Sequence, residues 1–164
     1  MLKVLSIDPG ESSGWMYAEL DTTTNTEINV QGGTITHDRS EIWRLLHSLA
    51  PDILLFEEFK LYSTHAKTLL HNTFYTCEII GLLKLYAEMR TPETMSLVNY
   101  PASNKKYSGS SKPDELWQTL LQQDHLRTGQ GNRVTGHTYD AYQHYAYWKR
   151  HNLPLLDLSK DPSN

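Results

Sequence analysis

The sequence predicts an α/β domain: a mixed five-stranded sheet, three antiparallel strands and then parallel additions, with helices on both faces. Three observations carry that expectation. The chain opens on an apolar run, Leu2 to Asp8, that halts at Pro9-Gly10, the pattern of a buried strand closed by a turn. Two more strand-like runs follow at short spacing, as in an antiparallel meander. After a helical stretch comes Ile53-Leu54-Leu55-Phe56-Glu57, nearly all apolar, which suits a central strand covered on both faces.

Taken in order, Gly14 to Leu20 reads as the second strand and Glu27 to Ile35 as the third, with a polar, Thr-rich turn over Asp21 to Asn25. Asp38 can cap a helix running to about Ala50, with Ile42, Leu45, Leu46 and Leu49 on one face. Pro51 and Asp52 stop it, and the Ile53–Glu57 strand follows. A long helical stretch is expected from about Ser63 to Arg90. It carries one apolar stripe at Ala66, Leu70, Phe74, Cys77 and Gly81, and a second at Tyr75, Ile79, Leu82 and Tyr86. A helix apolar on two sides is usually buried on two sides. The first stripe is assigned here to the sheet, and the second to a partner subunit or to further core. Thr94 to Asn99 reads as the fifth strand. Tyr100 to Lys112 is basic and Ser/Gly-containing, Asp114 can cap a helix to about Asp124, and Arg127 to Gly136 is a Gly-rich basic loop. A final helix is expected over His137 to Arg150. The domain is therefore placed at 1–150, with a flexible tail over 151–164 containing Pro154 and Pro162.

Composition narrows the classes. At 164 residues the chain is one domain, able to bury about two-thirds of its unfolded surface. No apolar run is long enough to span a bilayer, and the first residues lack a signal-peptide pattern. A single cysteine, Cys77, excludes an intramolecular disulfide and fits a reducing, cytoplasmic setting. The net charge of −4 argues against generic nucleic-acid binding, but it leaves room for acidic residues gathered to hold metal.

Two of the expected buried strands end in carboxylates, Asp8 and Glu57. A carboxylate is costly to bury alone, so a cation or a hydrogen-bond partner is implied; for Asp8, turn-capping before Pro-Gly fits as well. The last helix begins Gly136-His137-Thr138-Tyr139-Asp140-Ala141. His137 and Asp140, three residues apart, share a helix face, though an N-terminal cap and a favourable first-turn charge explain them equally. His144, one turn on, reads as packing or as support for that face. The tyrosines of this helix read as core.

Together these motifs resemble the RuvC family of Holliday-junction resolvases, nucleases of the ribonuclease H-like fold. The resemblance rests on Ile7-Asp8-Pro9-Gly10 with Gly14, on Phe56-Glu57, on Tyr100-Pro101 with Lys105-Lys106, and on His137-x-x-Asp140-Ala141, all in the family's order. It implies a homodimeric, magnesium-dependent endonuclease that cuts four-way or branched DNA, without a nucleotide cofactor. It implies that Asp8, Glu57 and Asp140 hold two Mg2+ ions, with Mn2+ able to substitute. His137 falls where family members hold Asp or His, and Lys105 or Lys106 falls near the scissile phosphate. The family's base-splaying aromatic would fall at Lys60, so Phe59 or Tyr62 would have to take that role. Glu58 competes with Glu57, because adjacent strand residues point to opposite faces.

The residues support such chemistry independently. Phosphodiester hydrolysis needs a barrier lowered by on the order of 20 kcal/mol, and a pair of hard divalent ions about 3.5–4 Å apart, on oxygen ligands, can supply much of it. A neutral His137 suits either metal ligation or proton movement. Lys60, Lys67, Lys105, Lys106, Lys112, Arg127 and Arg133 lie in segments expected to border the strand ends, where they would hold a DNA backbone without reading sequence. Three rivals remain: an RNA–DNA hybrid nuclease of the same superfamily, a non-catalytic junction-binding protein, and a phosphate binder of the actin-like ATPase and sugar-kinase type. The last needs two such domains, and this chain is too short for both.

Overall fold

The computed structural model describes residues 1–36, 38–59, 74–90, 95–101, 116–120 and 136–158, with 154–158 described by backbone alone. Along the chain come β1 (Leu2–Asp8), β2 (Ser12–Asp21), β3 (Thr26–Thr36), α1 (Arg39–Leu49), β4 (Ile53–Glu57), α2 (Tyr75–Met89) and β5 (Ser96–Tyr100). Helical residues 116–120 (α3) and the long α4 (Gly136–Leu158) complete it. The strands form one sheet in the order β3-β2-β1-β4-β5. β1 pairs antiparallel with β2, and β2 with β3; β4 pairs parallel with β1, and β5 with β4. This is the mixed sheet expected from the sequence, with the opening strand at its centre.

Alternation along the strands sorts the core into two layers. Leu5, Ile7, Trp15, Tyr17, Leu54 and Phe56 pack against Ile42 and Leu46 of α1 and against Ile79, Leu83 and Tyr86 of α2. On the other face Val4, Met16, Ala18 and Leu55 meet Trp117 and Leu120 of α3, and Ala141, Tyr142 and Tyr145 of α4. β1 reads as a nearly unbroken apolar run because both its faces are covered.

The connections are fixed by their own chemistry. Asn25 adopts φ 56° in the β2–β3 turn, a conformation Asn tolerates better than most residues. The Asp38 carboxylate caps α1 by accepting from the Glu41 N–H at 2.9 Å, as its sequence position predicts. α1 ends on Ala50 in the left-handed region. Asp52 then ties three strand starts together. Its carboxylate accepts from the Lys3 N–H at 2.8 Å, its own N–H donates to the Lys3 carbonyl at 2.9 Å, and its carbonyl accepts from Ser96 at 2.8 Å.

Two helices differ from expectation. In α2 the assignment of stripes is reversed: Ile79, Ile80, Leu83 and Tyr86 are buried, whereas Cys77, Gly81, Phe74, Leu85 and Met89 face outward. The sheet takes the side with more bulky apolar area to bury, and a Cys-Gly face offers little. The surface assigned to a partner subunit is thus core at Ile79 and Tyr86. Of the first stripe, Ala66 and Leu70 lie outside the described residues. The second difference is at the end of α4, which continues to Leu158 rather than stopping at Arg150. Leu153 packs into the core beyond that point, so burial carries the helix past the position where Pro154 suggested a stop.

Candidate metal centre at the carboxyl edge of the sheet

β1, β4 and β5 are parallel, so Asp8, Glu57 and Tyr100 finish at the same edge. Asp8 and Glu57 each lie one residue past the Ile7–Phe56 pair, on neighbouring strands. Both side chains belong to the face that α4 covers, because the period-2 alternation puts Asp8 with Val4 and Glu57 with Leu55. Glu58 falls on the opposite side. With Phe56, Phe59, Ile80 and Lys84 it lines a cavity of about 340 Å3 against α2. Glu57 therefore shares the face of Asp8, and Glu58 does not.

The start of α4 is pressed onto β2 at Gly14, the register partner of Asp8. A Cβ on Gly14 would lie 2.0 Å from the carbonyl carbon and oxygen of His137 and 2.5 Å from the Thr138 nitrogen. Only glycine lets the two backbones meet there. Thr138, fully buried, locks the contact. Its hydroxyl donates to the Gly33 carbonyl at 2.8 Å. Its single proton being used, its oxygen accepts from the Thr34 hydroxyl at 3.1 Å. Ala141, also fully buried, keeps the next turn close to the sheet.

This docking delivers His137 and Asp140 to Asp8. One ligand atom from each of the three lies within 4.8 Å of the others. His137 Nδ1 is 3.2 Å from Asp8 Oδ2; the His137 side chain is 52% exposed and that of Asp8 12%. The group thus has a nearly buried carboxylate at its base and an accessible imidazole at its rim. Two carboxylates and an imidazole, open on one side, fit a divalent ion that keeps some of its water.

Glu57 stands beside this group rather than within it. Its Oε2 lies 3.3 Å from Nε2 of His144, a fully buried residue one turn beyond Asp140. Tyr100 stacks parallel to the His144 ring, with centroids 6.2 Å apart and planes 4° apart. Burial pushes the Tyr100 hydroxyl above its ordinary pKa, so it remains an uncharged aromatic surface.

Of the residues singled out in the sequence, Asp8, His137 and Asp140 come together, with Glu57 next to them. Phe59 sits at the same end of the molecule, 37% exposed and edge-to-face with Phe74. Lys60, Tyr62, Lys67, Lys105, Lys106, Lys112, Arg127 and Arg133 lie outside the described residues. Sequence reading left two supporting residues without a role. Thr138 gave no signal, because its partners are 104 and 105 residues away. For Gly14, its place opposite a strand-ending Asp was the available clue.

No protein-family profile and no curated protein sequence matches the chain. Solved structures do. RuvC from T. thermophilus, in complex with a Holliday junction substrate, is 14% identical with a TM-score of 0.60, covering 98% of this chain and 98% of that one. The yeast mitochondrial Holliday junction resolvase Ydc2 is 14% identical with a TM-score of 0.59, over 95% of this chain and 83% of that one. The fowlpox virus Holliday junction resolvase is 11% identical with a TM-score of 0.58, over 91% of this chain and 99% of that one. The chain has the ribonuclease H-like fold of these resolvases.

Proposed function

We propose that the protein is a metal-dependent endonuclease that resolves four-way DNA junctions. One observation carries the reading: on a resolvase fold, the ligand atoms of Asp8, His137 and Asp140 converge within 4.8 Å at the carboxyl edge of the central strand. Asp8, Glu57, Asp140 and His137 are the residues that would hold Mg2+, with Mn2+ as a substitute. Such ions, when bound, supply an activated water and stabilise the leaving oxygen.

The chain's own residues prepare the site. Asp8 is held nearly buried by its strand, so little ordering remains to be done when a cation arrives. His137 lies at the rim, where its half-exposed ring can ligate or exchange a proton with solvent. Lys105 and Lys106 are assigned to the phosphate under attack. Lys60, Lys67, Lys112, Arg127 and Arg133 are assigned to the flanking backbone, with Phe59 or Tyr62 against the bases at the junction centre. The reading places the protein in the cytoplasm, of a bacterial or a phage-infected cell, where Cys77 stays reduced.

A four-way junction presents two equivalent strands, so two sites related by a two-fold axis match it. The homodimer is assigned to the outward face of α2, where Phe74 is 41%, Leu85 52% and Met89 66% exposed. Gly81, with nothing within 4 Å of an added Cβ, leaves room there for a second helix.

The test compares cleavage of a four-way junction, a flap, a linear duplex and an RNA–DNA hybrid, each with Mg2+ and with excess EDTA. Junction cleavage in paired strands that EDTA abolishes is expected. Preference for the hybrid would replace the substrate assignment, and cleavage insensitive to EDTA would remove the metal.

A further inference from the structure

We propose that His144 is the positioning residue of Glu57: its Nε2–H holds the Glu57 carboxylate in the orientation that metal binding requires. The inference deepens the metal-site reading above and rests on it.

His144 is fully buried between the sheet and α4. An apolar side chain would suit that place better, unless the imidazole has a task. Its Nδ1 is buried and has no hydrogen-bond partner among the described residues, whereas its Nε2 lies 3.3 Å from Glu57 Oε2. A bare Nε2 lone pair facing a carboxylate would be repulsive, so the proton sits on Nε2 and the ring donates. Leaving Nδ1 unsatisfied is a cost that the contact to Glu57 offsets.

The ring's direction is fixed from the other side. Tyr100 lies parallel to it at 4° and is the register partner of Glu57 in β5. The Tyr100 carbonyl also accepts from the Glu58 N–H at 2.7 Å, which ties the exit of β4 to β5. Glu57, Tyr100 and His144 therefore form one unit across two strand ends and α4. His144 and Asp140 are a helical turn apart, so the helix that carries Asp140 to Asp8 also carries the group that aims Glu57. Groups that orient a ligand in this way commonly change metal affinity by about 10- to 100-fold when removed.

The test compares His144→Gln with His144→Met. The two replacements are similar in length, and only Gln keeps a donor near the position of Nε2. Mn2+ binding to the DNA-free protein is measured by calorimetry, alongside Tm, junction Kd and single-turnover cleavage against Mg2+ concentration. His144→Met is expected to bind Mn2+ about 10- to 100-fold more weakly and to need correspondingly more Mg2+, with junction Kd unchanged. His144→Gln is expected to recover most of the affinity at a similar Tm. Wild-type Mn2+ affinity in His144→Met overturns the proposal, as does a Gln variant as weak as the Met variant. Should His144→Met not fold, 15N NMR of the wild-type imidazole decides: an Nε2–H tautomer is expected, and an Nδ1–H tautomer overturns it. Weakened Mn2+ binding in a protein that cuts no junction keeps this inference and removes the nuclease reading; full Mn2+ affinity in His144→Met of a junction-cutting protein does the reverse.

Discussion

A methyl group on Gly14 would meet the His137 carbonyl at 2.0 Å, and neither backbone has a flexible end that could yield. Gly14→Ala must therefore push the start of α4 off β2. We expect a loss of about 3 kcal/mol in stability, read as a lower Tm, together with loss of Mn2+ binding. Retained Tm and binding would mean that α4 docks elsewhere. Asp38 gives a pH-dependent case. The Ser40 hydroxyl and the Glu41 N–H hold its carboxyl below the ordinary range. A pKa lowered on folding adds stability that is complete at neutral pH and is lost as pH falls below about 4. Asp38→Asn keeps the cap acceptor without that titration, so its Tm should fall less between pH 7 and pH 3 than that of the wild type. An equal fall in both would assign the acid sensitivity to other groups. At this scale the sequence revealed residues whose place follows from local pattern: Asp8 and Glu57 at strand ends, Asp38 before a helical run. It was silent on Thr138 and gave no partner for His144, because a buried polar residue is explained by a group that only the fold brings near, here Gly33 or Glu57.

At the scale of elements, α2 separates what a pattern can decide from what it cannot. Two apolar stripes on one helix define two possible phases, and the phase is chosen by which side buries more area on the sheet. Ile79 and Leu83 are buried while Leu85 is half exposed. Ile79→Glu should therefore fail to fold, since it places an unpaired charge in the core. Leu85→Glu should fold with a Tm near that of the wild type. It should lower the sedimenting mass to that of a monomer if the outward face joins two copies; an unchanged dimer would move the interface. Asp52 supplies the control at the opposite end of the sheet. Asp52→Ala removes a carboxylate that accepts from the Lys3 N–H, and it should cost about 1–3 kcal/mol. Mn2+ affinity should stay unchanged, because the site lies at the far ends of these strands. Loss of metal binding in Asp52→Ala at a temperature where the protein is folded would contradict that separation.

For the molecule as a whole, the element order, together with the motifs that resemble the RuvC family, carried the reading of the sheet. A buried central strand, a short-looped meander and a later apolar strand leave few ways to pair. Sequence could not give the distances at which Asp8, His137 and Asp140 meet. Those depend on how closely α4 approaches β2, and so on Gly14 and the Thr138 contact. Likeness to the resolvases at 11–14% identity is a likeness of fold, because a core tolerates extensive apolar exchange. Asp8 is expected to serve chemistry and not folding. Single-turnover cleavage of a four-way junction in Mg2+ by wild type and Asp8→Asn tests it most directly, with junction Kd and Tm measured on the same preparations. Cleavage should fall by about 10³-fold or more, equivalent to about 4 kcal/mol of barrier, at unchanged Kd and Tm. Cleavage by Asp8→Asn at the wild-type rate would remove Asp8 from the chemistry.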